Sequence, residues 1–229
     1  MRILAFESSA KAASVALMQD GCLLAEYFQN SGQTHSRTLM KMAEDMLRNC
    51  DLTPQQVEAV ACAAGPGSFT GVRIGLSAAK GFAWAGNLPL YGISTLEAMA
   101  YGMLPFRGII CAAMDARRSQ VYTALFRSDG EQLERLCPDC AISVEALSEL
   151  LSGYTEPKIL VGDGAYLCCQ FGSLAPEHLR YQRASGVALC AHRQILDGVP
   201  GDAQSLTPNY LRLSQAERER LERIKNKGE

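Results

Sequence analysis

The segment Gly65-Pro66-Gly67-Ser68-Phe69-Thr70-Gly71-Val72-Arg73-Ile74-Gly75 constrains this chain more than any other. The apolar run Ala59–Ala64 ahead of it predicts a buried strand, and a helical pattern rich in small residues follows. A strand that turns into a helix through Gly65, Gly67 and Gly71, with Ser68 between them, presents backbone N–H groups at a helix N-terminus, which suits an anion. The same glycines also fit a tight turn without a ligand, or the close approach of another segment. Two phosphate-binding signatures are excluded. Gly71 is followed by Val72 and Arg73 rather than by Lys and a hydroxyl residue, so this is no P-loop. The last glycine comes one residue late for the dinucleotide pattern.

The elements around this turn repeat. Strands are predicted at Ile3–Ser8, Ser14–Gln19 and Leu23–Gln29, with Asp20-Gly21 marking a hairpin. A helix from about Ser36 to Asn49 follows, then the strand Ala59–Ala64, a helix from about Gly71 to Ala85, the strand Leu88–Ile93 and a helix at Thr95–Gly102. The pattern restarts with strands at Arg107–Met114, Gln120–Phe126 and Gln132–Leu136, a helix at Val144–Leu151, a strand at Lys158–Val161, and helices near Ala165–Phe171 and Ser185–Leu196. The order βββαβα thus occurs twice, which predicts an α/β protein of two ribonuclease-H-like halves, the actin-like ATPase superfold. The halves are expected at 1–104 and 105–229, with the charged helix Gln215–Lys227 packing back on the first.

Composition narrows the function. Of 229 residues, 48% are hydrophobic and 20% charged, a globular balance with core to spare, and no apolar run predicts a membrane span or a signal peptide. A cytoplasmic protein is expected. A net charge of −2 gives no basic surplus for phosphate neutralisation, so contact with RNA would need another subunit. Nine cysteines, an odd number, argue against a complete disulfide framework. Cys137-Pro138-Asp139-Cys140 is a lone CxxC, and joining it to the adjacent pair Cys168-Cys169 makes a poor zinc set.

Catalytic apparatus is sparse. Each half keeps an acid at the end of its first strand, Glu7 in Glu7-Ser8-Ser9-Ala10-Lys11 and Asp115 in Asp115-Ala116-Arg117-Arg118-Ser119, but neither hairpin has the glycine that lets a phosphate approach. The three histidines are not spaced as a helical metal pair, and no GxSxG elbow is present. No catalytic residue and no metal ligand is therefore assigned. Two helices instead carry excess apolar surface. Leu39, Met42, Ala43 and Met46 form a stripe widened by Met40 and Leu47. Gly75, Ala79 and Ala83 form a flat stripe on a helix apolar nearly all round, with Val72, Leu76 and Phe82 at other angles. One face packs on the chain's own sheet, and the other requires a neighbouring helix, a second chain or both.

The opening Ile3–Ser9 with Ala13–Leu17, the Gly65–Gly75 segment, Met114–Tyr122 and the late Thr207-Pro208-Asn209-Tyr210-Leu211-Arg212 together resemble the TsaB (YeaZ) family. Glu7-Ser8 stands where that family usually has Asp-Thr. The resemblance implies a non-catalytic scaffold subunit in the threonylcarbamoyladenosine modification of tRNA. It implies dimerisation with a TsaD-type catalytic subunit, docking of a TsaE-type ATPase, self-pairing when alone, and contact with tRNA only through the complex. By resemblance the partner contact uses Leu39, Met42, Met46, Gly75, Ala79 and Ala83. An adenine nucleotide belongs to the assembled complex near Gly65–Arg73, with Arg73 as the cation for a phosphate. The alternative is an autonomous actin-like ATPase or a peptidase-type enzyme.

Overall fold

The computed structural model describes residues 1–212. Strands β1 (Arg2–Glu7), β2 (Ala13–Gln19) and β3 (Cys22–Gln29) form an antiparallel meander, and helix α1 (His35–Asn49) follows. β4 (Ala59–Gly65) lies parallel to β1, α2 (Phe69–Gly86) returns across the sheet, and β5 (Leu90–Ser94) completes the order β3-β2-β1-β4-β5. Helix α3 (Thr95–Tyr101) leads into the second sheet. There β6 (Arg107–Asp115), β7 (Gln120–Asp129), β8 (Leu133–Arg135), β10 (Lys158–Val161) and β11 (Ser173–Leu174) take the order β11-β10-β6-β7-β8. Numbered from its own first strand, and leaving aside the extra strand described below, each sheet runs 3-2-1-4-5. The chain is thus a duplicated ribonuclease-H-like fold, the actin-like ATPase superfold.

The apolar runs are explained by burial on both faces. On β1, Leu4 and Phe6 face α1 and α2, while Ile3 and Ala5 face the opposite layer. β4 alternates likewise, with Val60 and Cys62 on the first side and Ala59, Ala61 and Ala63 on the second. In the second half, α4 (Val144–Ser152) covers one face through Leu147 and Leu151, and α3 covers the other through Leu96, Met99 and Ala100. Through Ala98, α3 also reaches the core of the first sheet, so it is wedged between the halves.

Three findings depart from the sequence reading. β9 (Cys140–Ser143), a further strand paired with β7, follows a four-residue loop after β8 that hides it from periodicity. Ala165–Phe171 is a 3₁₀ helix, and the short α5 (Glu177–Arg180) follows. The third concerns α6 (Ala184–Leu196), expected to complete the second half, which instead packs beneath the first sheet through Ala184, Val187, Ala188 and Ala191. Its N-terminus is held there because Ser14 Oγ accepts the Ala184 N–H at 3.2 Å and Glu26 accepts the Ser185 N–H at 3.0 Å. Arg183 adds an ion pair to Glu26 at 2.9 Å. Residues 199–210 continue along the first half, where the Asp202 N–H reaches Leu90 O and the Asn209 N–H reaches Ala64 O, before Leu211 packs on the second core and Arg212 donates to Ala116 O. Division at 104/105 therefore separates the sheets but not the cores. The helix expected at Gln215–Lys227 lies outside the described residues.

Two glycines of α2 have opposite surroundings. A Cβ at Gly71 would lie 2.1 Å from the Ser8 carbonyl oxygen, whereas at Gly81 it meets no described atom within 4 Å. Gly71→Ala is expected to cost about 2–4 kcal/mol, while Gly81→Ala should be neutral or stabilise by up to ~1 kcal/mol through helix propensity. Denaturant midpoints of the two variants check this.

Candidate functional site

The glycine turn is a packing device. Gly65 has φ +110°, and the backbone of Asn209 lies 2.6 Å from where its Cβ would be. The hairpin between β1 and β2 fills the rest. A Cβ at Gly67 would meet Ser9 O at 2.4 Å, and one at Gly75 would meet Ser8 Oγ at 2.5 Å. The Ser68 N–H donates to Ser9 O at 2.7 Å, while Ser68 Oγ caps α2 by accepting the Gly71 N–H at 3.3 Å. Gly65, Gly67, Ser68, Gly71 and Arg73 are thus brought together at the start of α2, with the glycine faces occupied by the chain itself. Arg73 is exposed, but its Nε donates to Tyr210 Oη at 2.6 Å, and its guanidinium lies over the Tyr210 and Phe69 rings. Those rings stack with centroids 4.3 Å apart. The late Thr207–Arg212 motif is therefore a strap that engages the glycine turn.

The acids at the strand ends differ in environment. Glu7 is fully buried and accepts the Ser9 N–H at 2.5 Å through Oε1, while Oε2 has no partner among the described residues. Burial lifts its pKa to about 7 against the hydrogen bonding from Ser9, and the Asp163 carboxylate adds a smaller push. Asp163, after β10, is also raised by burial, although Gln182 Nε2 donates to it at 3.0 Å. Asp115 is exposed and accepts the Arg117 N–H at 2.7 Å. Among the described residues, no three His, Cys, Asp or Glu side chains gather as a metal set.

The two apolar helices lie side by side over the first sheet, and here the residues named from sequence need correction. Leu39, Met46, Ala79 and Ala83 are at most 1% exposed, and Gly75 is buried against Ser8. They form the inner face, where small side chains let α2 sit close to its own sheet, so they cannot touch a partner. Met42 alone of the six is half-buried. The outer face of α2 carries Ile74, Ala78, Gly81 and Ala85, spaced i, i+4, i+7, i+11, with Trp84 projecting 87% exposed beside them. Met40 of α1 adds exposed apolar surface. Between the helices runs a groove of ≈ 620 Å³ lined by Met40, Ala43, Leu47, Phe82 and Ala85. A second groove of ≈ 450 Å³ lies between His35 and Met40 on one side and Thr70, Arg73 and Ile74 on the other. The second stripe on α2 and the single tryptophan were the signals that could have found this face.

Relatives share this architecture over nearly the whole chain. The TsaB of Bacillus subtilis, a tRNA threonylcarbamoyladenosine biosynthesis protein, is 32% identical over 97% of this chain and 99% of its own. The chain belongs to the TsaB family. The protein of that name from Escherichia coli is 36% identical over 72% of each chain. Residues 23–172 match the family described as "TsaD: tRNA N6-adenosine threonylcarbamoyltransferase". YeaZ from Pseudomonas aeruginosa superposes with a TM-score of 0.80 at 24% identity, covering 92% of this chain and 99% of that one. No helix among the described residues is long and apolar enough to cross a membrane.

The buried Glu7 has a stability consequence. Below pH 4.5 its carboxyl is protonated in folded and unfolded chains alike, and between 4.5 and about 7 the folded chain keeps a proton that the unfolded chain has lost. Stability should therefore fall as pH rises through that window, by up to about 3 kcal/mol from this group. Thermal unfolding across pH should show that Glu7→Gln lacks this component of the decline.

Proposed function

We propose that this chain is a non-catalytic scaffold subunit in the threonylcarbamoyladenosine modification of tRNA, working in the cytoplasm. It docks a TsaD-type catalytic subunit on the outer faces of α1 and α2. The observation that carries the reading is the apolar face around Trp84, which has no cover among the described residues and is 87% exposed at the tryptophan. A tryptophan presents roughly 150–250 Å² of surface. Covering it at ~25 cal/mol per Å² contributes about 4–6 kcal/mol, enough to anchor an interface. Among the described residues Gly81 leaves open space above the helix, so a partner helix can approach to backbone contact. Family membership supplies the pathway, since the curated relatives are named for tRNA threonylcarbamoyladenosine biosynthesis.

The filled hairpin favours a scaffold over an autonomous ATPase. The Ser8 and Ser9 carbonyls occupy the glycine turn, and Glu7 is sealed with a raised pKa. In this reading the same outer face pairs with a second copy when the catalytic subunit is absent. A TsaE-type ATPase joins the assembled pair, tRNA is contacted through the complex, and an adenine nucleotide is held there near Arg73.

Gly81→Arg and Trp84→Ala test the docking face. Both positions lie outside the core, so the isolated chain should keep its unfolding temperature. Size-exclusion chromatography with the catalytic subunit should show association lost for Gly81→Arg and weakened at least tenfold for Trp84→Ala, with modified tRNA falling in parallel in a reconstituted reaction. Unchanged association in both variants would overturn the proposal.

A further inference from the structure

The CxxC segment occupies a defined place on the second sheet. β8 pairs with β7 through Arg135 opposite Phe126, and β9 pairs with the same strand through Cys140 opposite Thr123. Between those pairs, Leu136–Asp139 face only Ala124 and Leu125, so the extra residues loop outward and both thiols return to β7. Cys137 Sγ accepts the Leu125 N–H at 3.2 Å, and Cys140 Sγ donates to Thr123 O at 3.4 Å. In a strand, the carbonyl of residue i and the N–H of residue i+2 lie on one edge, about 5 Å apart. Both sulfurs therefore hydrogen-bond to the same edge of β7, two residues apart along it.

The loop between the thiols is also a strut. Asp139 accepts a hydrogen bond from Ser94 Oγ at 2.7 Å and an ion-paired one from Arg135 at 2.6 Å. Arg135 reaches on to Glu97 of α3 at 3.0 Å, and Ser94 caps α3 by accepting the Glu97 N–H. The carboxylate inside the CxxC thus ties the edge of the second sheet to the helix wedged between the halves.

We propose that Cys137 and Cys140 form a reversible dithiol–disulfide site that reacts with low-molecular-weight disulfides such as oxidised glutathione, and that closing it withdraws Asp139 from Ser94. In the first step the Cys137 thiolate attacks the external disulfide RSSR, forming Cys137–S–SR and releasing one RS⁻, which takes up the Cys137 proton as RSH. In the second, the Cys140 thiolate attacks the Cys137 sulfur, closing the protein disulfide and releasing the other RSH with the Cys140 proton. Two electrons pass from the dithiol to RSSR. The order follows from the hydrogen bonds, since Cys137 Sγ accepts the Leu125 N–H and so has its electron pair engaged by a donor, whereas Cys140 Sγ is giving its proton to Thr123 O and attacks second. Cys137 must leave the Leu125 N–H to form the bond, which pulls Pro138 and Asp139 towards β7.

The full chain, equilibrated in buffers of oxidised and reduced glutathione, alkylated and digested with trypsin, tests this directly. Cleavage after Arg135 and Lys158 gives one peptide that holds both cysteines and no other. Its expected form under oxidising buffer is internally cross-linked and unalkylated, while the exposed single thiols Cys22 and Cys169 carry glutathione. In the same samples, amide exchange at Glu97 should rise about tenfold on oxidation. Cys140→Ser should stop at the mixed disulfide on Cys137 and keep the slow Glu97 exchange. Alkylation of both thiols while Cys22 is glutathionylated would overturn the site, and a cross-linked peptide with unchanged Glu97 exchange would overturn the coupling. The wild-type measurements decide both points if that variant does not fold.

Discussion

The approach of the Ser8–Ser9 turn onto the glycine face of α2 is the contact on which the first half depends. Side-chain-free backbone at Gly67 and Gly71 lets two carbonyls come within 2.1–2.4 Å of where a Cβ would stand. The turn after β4 and the hairpin after β1 thereby lock together, and the Asn209 strap closes over them. The same hairpin carries Glu7, which is fully buried at the end of β1. One packing solution thus sets the architecture of the first hairpin and of the turn that opens α2.

The halves repeat a topology and divide its chemical features. At the end of β1 the acid is buried with a raised pKa, and at the end of β6 the acid is exposed and holds a turn. Arg117, Arg118 and Ser119 in that second turn all have positive φ, a conformation that Asp115 supports by accepting the Arg117 N–H. The first half also presents the helices whose outer faces are exposed among the described residues, while the second carries the cysteine loop. Helix α3 touches both, packing on the second sheet through Met99 and on α6 where Gly186 lets Ala98 O approach.

Much of the fold was legible because the apolar runs and turn residues are strong. Continuous apolar strands such as Ala59–Ala64 required two covering layers, and the doubled βββαβα order led to the superfold. Which layer α6 would cover was not legible, since its anchors, Ser14 and Glu26, lie some 160 to 170 residues earlier in sequence. Helices α1 and α2 were legible as apolar helices, but the stripe read as their outer face is the inner one. A stripe of Gly75, Ala79 and Ala83 permits close approach equally to the chain's own sheet or to another helix, and periodicity alone does not say which. The glycine turn posed the same ambiguity between a ligand and a neighbouring segment, and only the carbonyls of Ser8 and Ser9 distinguish them.

The crossing of α6 beneath the first sheet has a consequence for synthesis on the ribosome. When β5 has emerged, the underside of that sheet, Ile3, Ala5, Ala16 and Ala61 among others, still lacks its cover. Some ninety residues separate β5 from α6, so the nascent first half waits through translation of the entire second sheet with an apolar surface open. At ~5–20 residues per second that interval lasts about 5–20 seconds, long enough for a holding chaperone to bind. The N-terminal half is the first to be made and among the last to be finished.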